Sequence, residues 1–141
     1  MGISPNGINL IKKFEGCKLN AYLDQAGVPT IGYGSTEGVR LSMTITQDEA
    51  EKMLKDHLDV VCHNVSGMLK VEVDQNQFDA LCSFAYNLGC AALKRSTLLS
   101  LLNQGDFDGA AEQFPKWCMA GGVENAGLKR RRIAEQELFL S

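Results

Sequence analysis

Residues 13–34 read KFEGCKLNAYLDQAGVPTIGYG, and the fold turns on how this stretch is read. Gly16 ends the helix that leads into it, which leaves Glu15 at that helix's C-terminal end. Lys18 to Leu23 suits a strand, Asp24-Gln25-Ala26-Gly27 has turn chemistry, and Val28 to Tyr33 suits a return strand. The stretch is therefore expected to form a β-hairpin launched from a helix terminus, with a third short strand near Val39 to Leu41. Upstream, Ser4-Pro5 supplies an N-cap and a first-turn proline ahead of Ile8, Ile11 and Phe14.

Downstream the pattern is helical. Thr46-Gln47-Asp48-Glu49 is a capping box. Behind it Ala50, Met53, Leu54, His57, Leu58, Val61, Cys62 and Val65 recur at three-and-four spacing, as on one buried helix face. Asp74-Gln75-Asn76-Gln77 opens a second helix, which buries Phe78, Leu81, Cys82, Ala85 and Leu88 and stops at Gly89. Ser96 opens a short helix through Leu102, another covers about 107–114 before Pro115, and the last covers about 128–140. The fold class is α+β. One domain over 1–141 is expected, with a small β lobe at about 16–45, a helical lobe at about 1–15 and 46–141, and a cleft between them.

Composition bounds the function. The 141 residues are 45% apolar and 22% charged, enough to bury a core without staples. No apolar run approaches the ~18 residues of a membrane span. A net charge of −3, from 14 basic and 17 acidic residues, argues against nucleic-acid binding. The N-terminus shows no secretory pattern, and Asn6 breaks the myristoylation motif that Met1-Gly2 suggests. Cys17, Cys62, Cys82, Cys90 and Cys118 are odd in number and lack C-x-x-C spacing, so reduced core thiols are expected in preference to disulfides or zinc. His57 and His63 do not share a helix face, so no metal site is expected.

One constellation carries chemistry. Glu15 ends a helix, Asp24 lies nine residues on at the hairpin turn, and Thr30 lies six further on the return strand. A helix end facing a hairpin turn sets two carboxylates across a groove, as glycoside hydrolysis requires. One acid protonates the leaving oxygen, the other steers water or attacks the sugar, and a hydroxyl holds the water. The spacing alone is common among surface acids; Asp24 also fits an Asx-turn that merely shapes the hairpin.

The residues around it are more specific. Lys13-Phe14-Glu15-Gly16, Ala21-Tyr22-Leu23-Asp24 and Gly27 to Gly34 together resemble the phage lysozymes of glycoside hydrolase family 24. The resemblance continues through Gln75 to Leu81 and Phe84 to Gly89. It resumes at Trp117, Ala120-Gly121-Gly122, Gly127-Leu128, Arg130-Arg131-Arg132 and Glu135, and closes on Leu138-Phe139-Leu140-Ser141. It covers nearly the whole chain, in order.

The resemblance implies a lysozyme-like fold and a muramidase that cleaves the β-1,4 bond between N-acetylmuramic acid and N-acetylglucosamine in peptidoglycan, without a cofactor. Glu15 would be the general acid, Asp24 the second carboxylate and Thr30 its water-holding partner, in an inverting displacement. Thr36, Tyr86, Asn87 and Thr97 would touch sugar, and Arg131 would buttress Glu15. Such an acid must hold a proton near neutral pH, which burial or a neighbouring carboxylate favours and an adjacent cation opposes. Ser35 stands where family members often carry His. The chain is acidic where many relatives are basic, which leaves wall attraction to Lys12, Lys13, Lys18, Lys94-Arg95 and Lys129 to Arg132.

As an endolysin it would wait as a monomer in the host cytoplasm, insert into no membrane, and reach the wall through a holin encoded elsewhere. A lytic transglycosylase acting on the same bond and a catalytically dead wall-binding protein are the competing readings.

Overall fold

The computed structural model describes residues 1–141. Helix α1 (Pro5–Glu15) has proline in its first turn and stops at Gly16, where φ is +65°. Ser4 holds the N-cap position, but its side chain caps nothing. Its hydroxyl and its amide both donate to the Asp79 carboxylate, 75 residues away. Gly7 makes that approach possible, because a Cβ there would stand 2.8 Å from the Asp79 Cβ. The start of α1 is thus fixed by a tertiary contact to a fully buried aspartate.

Strands β1 (Lys18–Leu23) and β2 (Pro29–Gly32) pair antiparallel, with Tyr22 opposite Thr30 and an irregularity between Lys18 and Tyr22. The third strand expected near Val39 to Leu41 does not form. Val39 is buried, but as the anchor of a turn that Gly38 enters at φ +68°. The outer edge of β1 pairs a few residues later, where the Ala21 amide donates to the Met43 carbonyl and the Ile45 amide to the Leu19 carbonyl.

Helix α2 (Gln47–Met68) carries the full capping box at Thr46 and Glu49, and α3 (Gln75–Leu88) carries a second at Asp74 and Gln77. Every residue from Phe78 to Tyr86 is buried. A helix buried on all sides lies at the centre of its lobe, and α3 packs against α1, α2, α4 (Cys90–Lys94) and α7 (Ala126–Leu140). Between them run α5 (Thr97–Asn103), α6 (Phe107–Gln113), a 3₁₀ turn at Phe114–Lys116, and a hairpin of β3 (Met119–Ala120) and β4 (Val123–Glu124). The sequence pattern missed α4 and the β3–β4 hairpin. Elements of five and two residues are too short to show a period.

His57 departs from its expected inner-face position. It is exposed, with one side of its ring stacked on Tyr86 at 4.4 Å between centroids. The remaining apolar residues form one cluster that joins Ile31, Tyr33, Val39 and Ile45 of the hairpin region to Leu54, Phe78 and Phe84 of the helices. All five cysteines are free thiols, and Cys62 and Cys82 face each other in the core with sulfurs 3.7 Å apart. No helix is long and apolar enough to cross a membrane. Helix α7 departs from the usual pattern: of its four buried residues only Phe139 is apolar, and the others are Arg131, Arg132 and Glu135.

Candidate active site

Glu15 is the last residue of α1, and its side chain keeps 17% of its surface exposed. Its Oε2 accepts a hydrogen bond from Arg131 Nη1 at 2.7 Å, across 116 residues of chain. Its Oε1 accepts none and faces the Gly34 backbone. A Cβ built on Gly34 would stand 2.5 Å from Oε1, and the residue has φ +83°, so glycine is required there for both space and backbone conformation. The carboxyl therefore has one oxygen held and one free.

Behind it lies a charge cluster built on α7 and α3. Arg131 is 4% exposed and spends its remaining donors inward: Nε to Glu135 Oε2 at 3.3 Å, and Nη2 to the Ser83 carbonyl at 3.2 Å. Glu135 is fully buried. It also accepts from the Ser83 hydroxyl at 2.5 Å and from Arg132 Nη2 at 3.1 Å, and Arg132 Nε stands 2.7 Å from its Oε1. Burial pushes the Glu135 carboxyl up, and the two guanidiniums and the Ser83 hydroxyl pull it back. Arg132 lies over the Phe84 ring and donates to Asn87 Oδ1 at 2.8 Å, while its buried Nη1 has no partner. Three arginines stand side by side in the sequence, and helix periodicity sorts them: Arg130 faces solvent, Arg131 and Arg132 face inward.

Asp24 is held differently. Its Oδ1 accepts from the Ala26 amide at 2.9 Å and the Val28 amide at 2.8 Å, an Asx-turn that closes the hairpin. Thr30 is 3% exposed, and its hydroxyl donates to the Val28 carbonyl at 2.8 Å. Tyr22 lies within the fields of both acids: Glu15 and Asp24 reinforce burial in pushing its hydroxyl up. The hairpin thus brings Asp24 to Glu15's side of the molecule.

The other expected site residues divide. Tyr86 is buried, donates its hydroxyl to the Tyr33 carbonyl and feels Glu15. Asn87 is tied to Arg132, and Thr36 is exposed. Thr97 is exposed at the start of α5, with no contact joining it to Glu15. Glu135 and Gly34 entered the sequence reading as motif residues without a role in the site, and Ser83 was not named. The signal for Glu135 was an acid four residues after Arg131 on an otherwise buried helix face.

Glu15, Asp24 and Thr30 line none of the three principal hollows. One of about 920 Å³ lies among α2, α4 and α5, one of about 830 Å³ between α1 and α2, and the third around Leu69 and Phe78. Gly34 and Arg131 close on the Glu15 carboxylate from two sides. Of the cations expected to draw an anionic wall, Lys12 is paired with Glu51 at 2.8 Å and Lys129 with Glu124 at 2.8 Å.

Comparison with known proteins gives one consistent answer. The model of the phage lysozyme family matches residues 12–135. An endolysin of Acyrthosiphon pisum secondary endosymbiont phage 1 is 43% identical over 145 residues, covering all of this chain and 99% of that protein. An endolysin of Bacillus phage B103 is 48% identical over 147 residues, and there the chain spans 55% of the relative's length. Among solved structures, the endolysin from Escherichia coli O157:H7 phage FAHEc1 superposes with a TM-score of 0.92 at 39% identity, covering 100% of this chain and 94% of that one.

Proposed function

This chain belongs to the phage lysozyme family, and from that premise we propose that it is a peptidoglycan hydrolase that lyses a bacterial host. It cleaves the β-1,4 bond between N-acetylmuramic acid and N-acetylglucosamine, with Glu15 as general acid. The observation that carries this reading is the state of the Glu15 carboxyl, fixed through Oε2 by Arg131 and left unbonded at Oε1. A proton on Oε1 is directed away from the guanidinium, toward a glycosidic oxygen at the surface. Asp24, half-exposed and already oriented by two backbone amides, is the second carboxylate. Its remaining lone pairs take the proton of an attacking water, and Thr30 shapes the strand behind that water. Water attacking from the opposite face inverts the anomeric carbon.

Thr36, Tyr86 and Asn87 border the sugar path, and Arg131 keeps the acid aimed. The enzyme works as a monomer in a single lysozyme-like domain, needs no cofactor, and reaches the wall from the cytoplasm with the help of a holin.

The test is a turbidity assay on permeabilised Gram-negative cells with wild type and Glu15→Gln. Wild type clears the suspension. The variant folds normally and loses at least the roughly 10²–10⁴-fold that a general acid supplies. Mass spectrometry of the released muropeptides shows reducing ends. Anhydromuramic ends would make the enzyme a lytic transglycosylase, and no release at all would leave a wall-binding protein.

A further inference from the structure

We propose that Glu135 is a positioning residue for this reaction: through Arg131 it fixes the Glu15 carboxyl, and its charge balances the cations behind that carboxyl so that Glu15 can hold the proton it must deliver. The inference rests on Glu15 being the general acid.

Arg131 and Arg132 are buried cations, 4% and 0% exposed, and one fully buried carboxylate, Glu135, lies between them. Glu15 is the second anion; Arg131 is the cation that pairs with it, and Arg132 behind also feels its charge. The four charges sum to zero when Glu15 is ionised and to +1 when it is protonated. A general acid must begin in the protonated form, so the cluster opposes the working state by one unpaired cation. Without Glu135 that excess would be two, in a region shielded from water. A buried carboxylate 3.3 Å from Arg131 Nε therefore does more for Glu15 than support the helix. It takes up part of the guanidinium's charge and fixes the direction of Nη1.

Other charged and titratable groups also face Glu15. Tyr22 of β1, Tyr86 of α3 and His57 of α2 all feel its charge, and Asp24 shares Tyr22 with it. None of these pairs with Arg131, so none can replace Glu135 as its counter-charge. Ser83 holds both partners in register, its hydroxyl on Glu135 and its carbonyl on Arg131.

The test is the pH profile of kcat/KM on purified sacculi for wild type, Glu135→Gln, the double variant Glu135→Gln/Arg132→Gln, and Glu15→Gln. The alkaline limb of the wild-type profile reports the general acid of the reaction. In Glu135→Gln this limb moves to lower pH by about one unit or more, as expected when a neighbouring charge goes unopposed. In the double variant, which removes one cation with the anion, the limb returns most of the way to its wild-type position. A limb that stays in place in folded Glu135→Gln, or that lies equally low in both variants, overturns the proposal and leaves Glu135 a structural residue. If Glu135→Gln does not fold, Arg132→Gln takes its place beside the double variant: the double variant, which lacks the Glu135 charge as well, has the limb at lower pH, and equal limbs in the two overturn the proposal. If Glu15→Gln keeps wild-type activity, the assignment of the acid has failed instead.

Discussion

The two carboxylates assigned to the reaction are built by opposite means. Asp24 is held by amides two and four residues away, within one hairpin turn. Glu15 is held by an arginine 116 residues away, and that arginine by a glutamate with no exposed surface. The local acid depends on the turn alone. The remote acid depends on the packing of α1, α3 and α7, so damage to the helices reaches the chemistry through Glu15 and not through Asp24. The difference also suits the proposed roles: a base that steers water tolerates solvent and some freedom, whereas a proton donor must be aimed.

The most severe way to break this contrast is to remove the remote partner. Arg131→Met leaves Glu135 and Arg132 with an incomplete cluster, and losing one member of a buried pair costs about 3–5 kcal/mol. Chemical denaturation read by circular dichroism measures it. Wall hydrolysis falls further than the unfolded fraction explains, because the folded molecules that remain have lost the aim of Glu15. A stability loss under about 1 kcal/mol would place the cluster among ordinary surface pairs and remove the distinction.

Gly34→Ala acts on the same acid from the other side. The new methyl meets Glu15 Oε1, and an alanine at φ +83° is strained. A cost of about 1–3 kcal/mol is expected, together with a drop in kcat larger than any change in KM. Unchanged kcat would mean that the free oxygen of Glu15 is not the one that delivers the proton.

Asp24 sharpens the comparison by separating turn from chemistry. Asp24→Asn keeps the oxygen that both amides use, so stability stays within about 0.5 kcal/mol, while hydrolysis drops with the loss of the carboxylate. Asp24→Ala adds the loss of the turn, about 1 kcal/mol. If Asp24→Asn cleaves the wall at the wild-type rate, the Asx-turn is all that Asp24 does.

The same contrast explains what could be read from the residues. Capping boxes at Thr46 and Asp74, the stop at Gly16 and the Asp24 turn are local chemistry, and they stand where the pattern placed them. Asp79, which anchors Ser4 at the start of α1, and Glu135, which gathers Arg131 and Arg132 on α7, show these roles in three dimensions. Each is a buried acid that also holds a partner from distant chain, Ser4 for Asp79 and Ser83 for Glu135, and no local pattern marks that partner. The strand expected near Val39 to Leu41 is absent because the outer edge of β1 is taken by residues 43–45.

The smallest effect reads the charge on Glu15 directly. The chain has two histidines, so proton NMR shows two ring signals, and the one that survives in His63→Gln is His57. The Tyr86 ring, which keeps water from one face of His57, holds it below the ordinary 6.5, and the charges of Glu15 and Glu37 pull it partly back up. In Glu15→Gln one of those pulls is gone, so His57 titrates at lower pH still. The sign also fixes a stability effect. Between its folded value and 6.5 the unfolded chain binds more protons than the native one, so stability is full above that range and falls as pH drops through it. The fall is slightly larger in the variant. A His57 titration at or above 6.5 in wild type would show the ring to be fully hydrated, and an identical value in the variant would place the Glu15 carboxylate out of its reach.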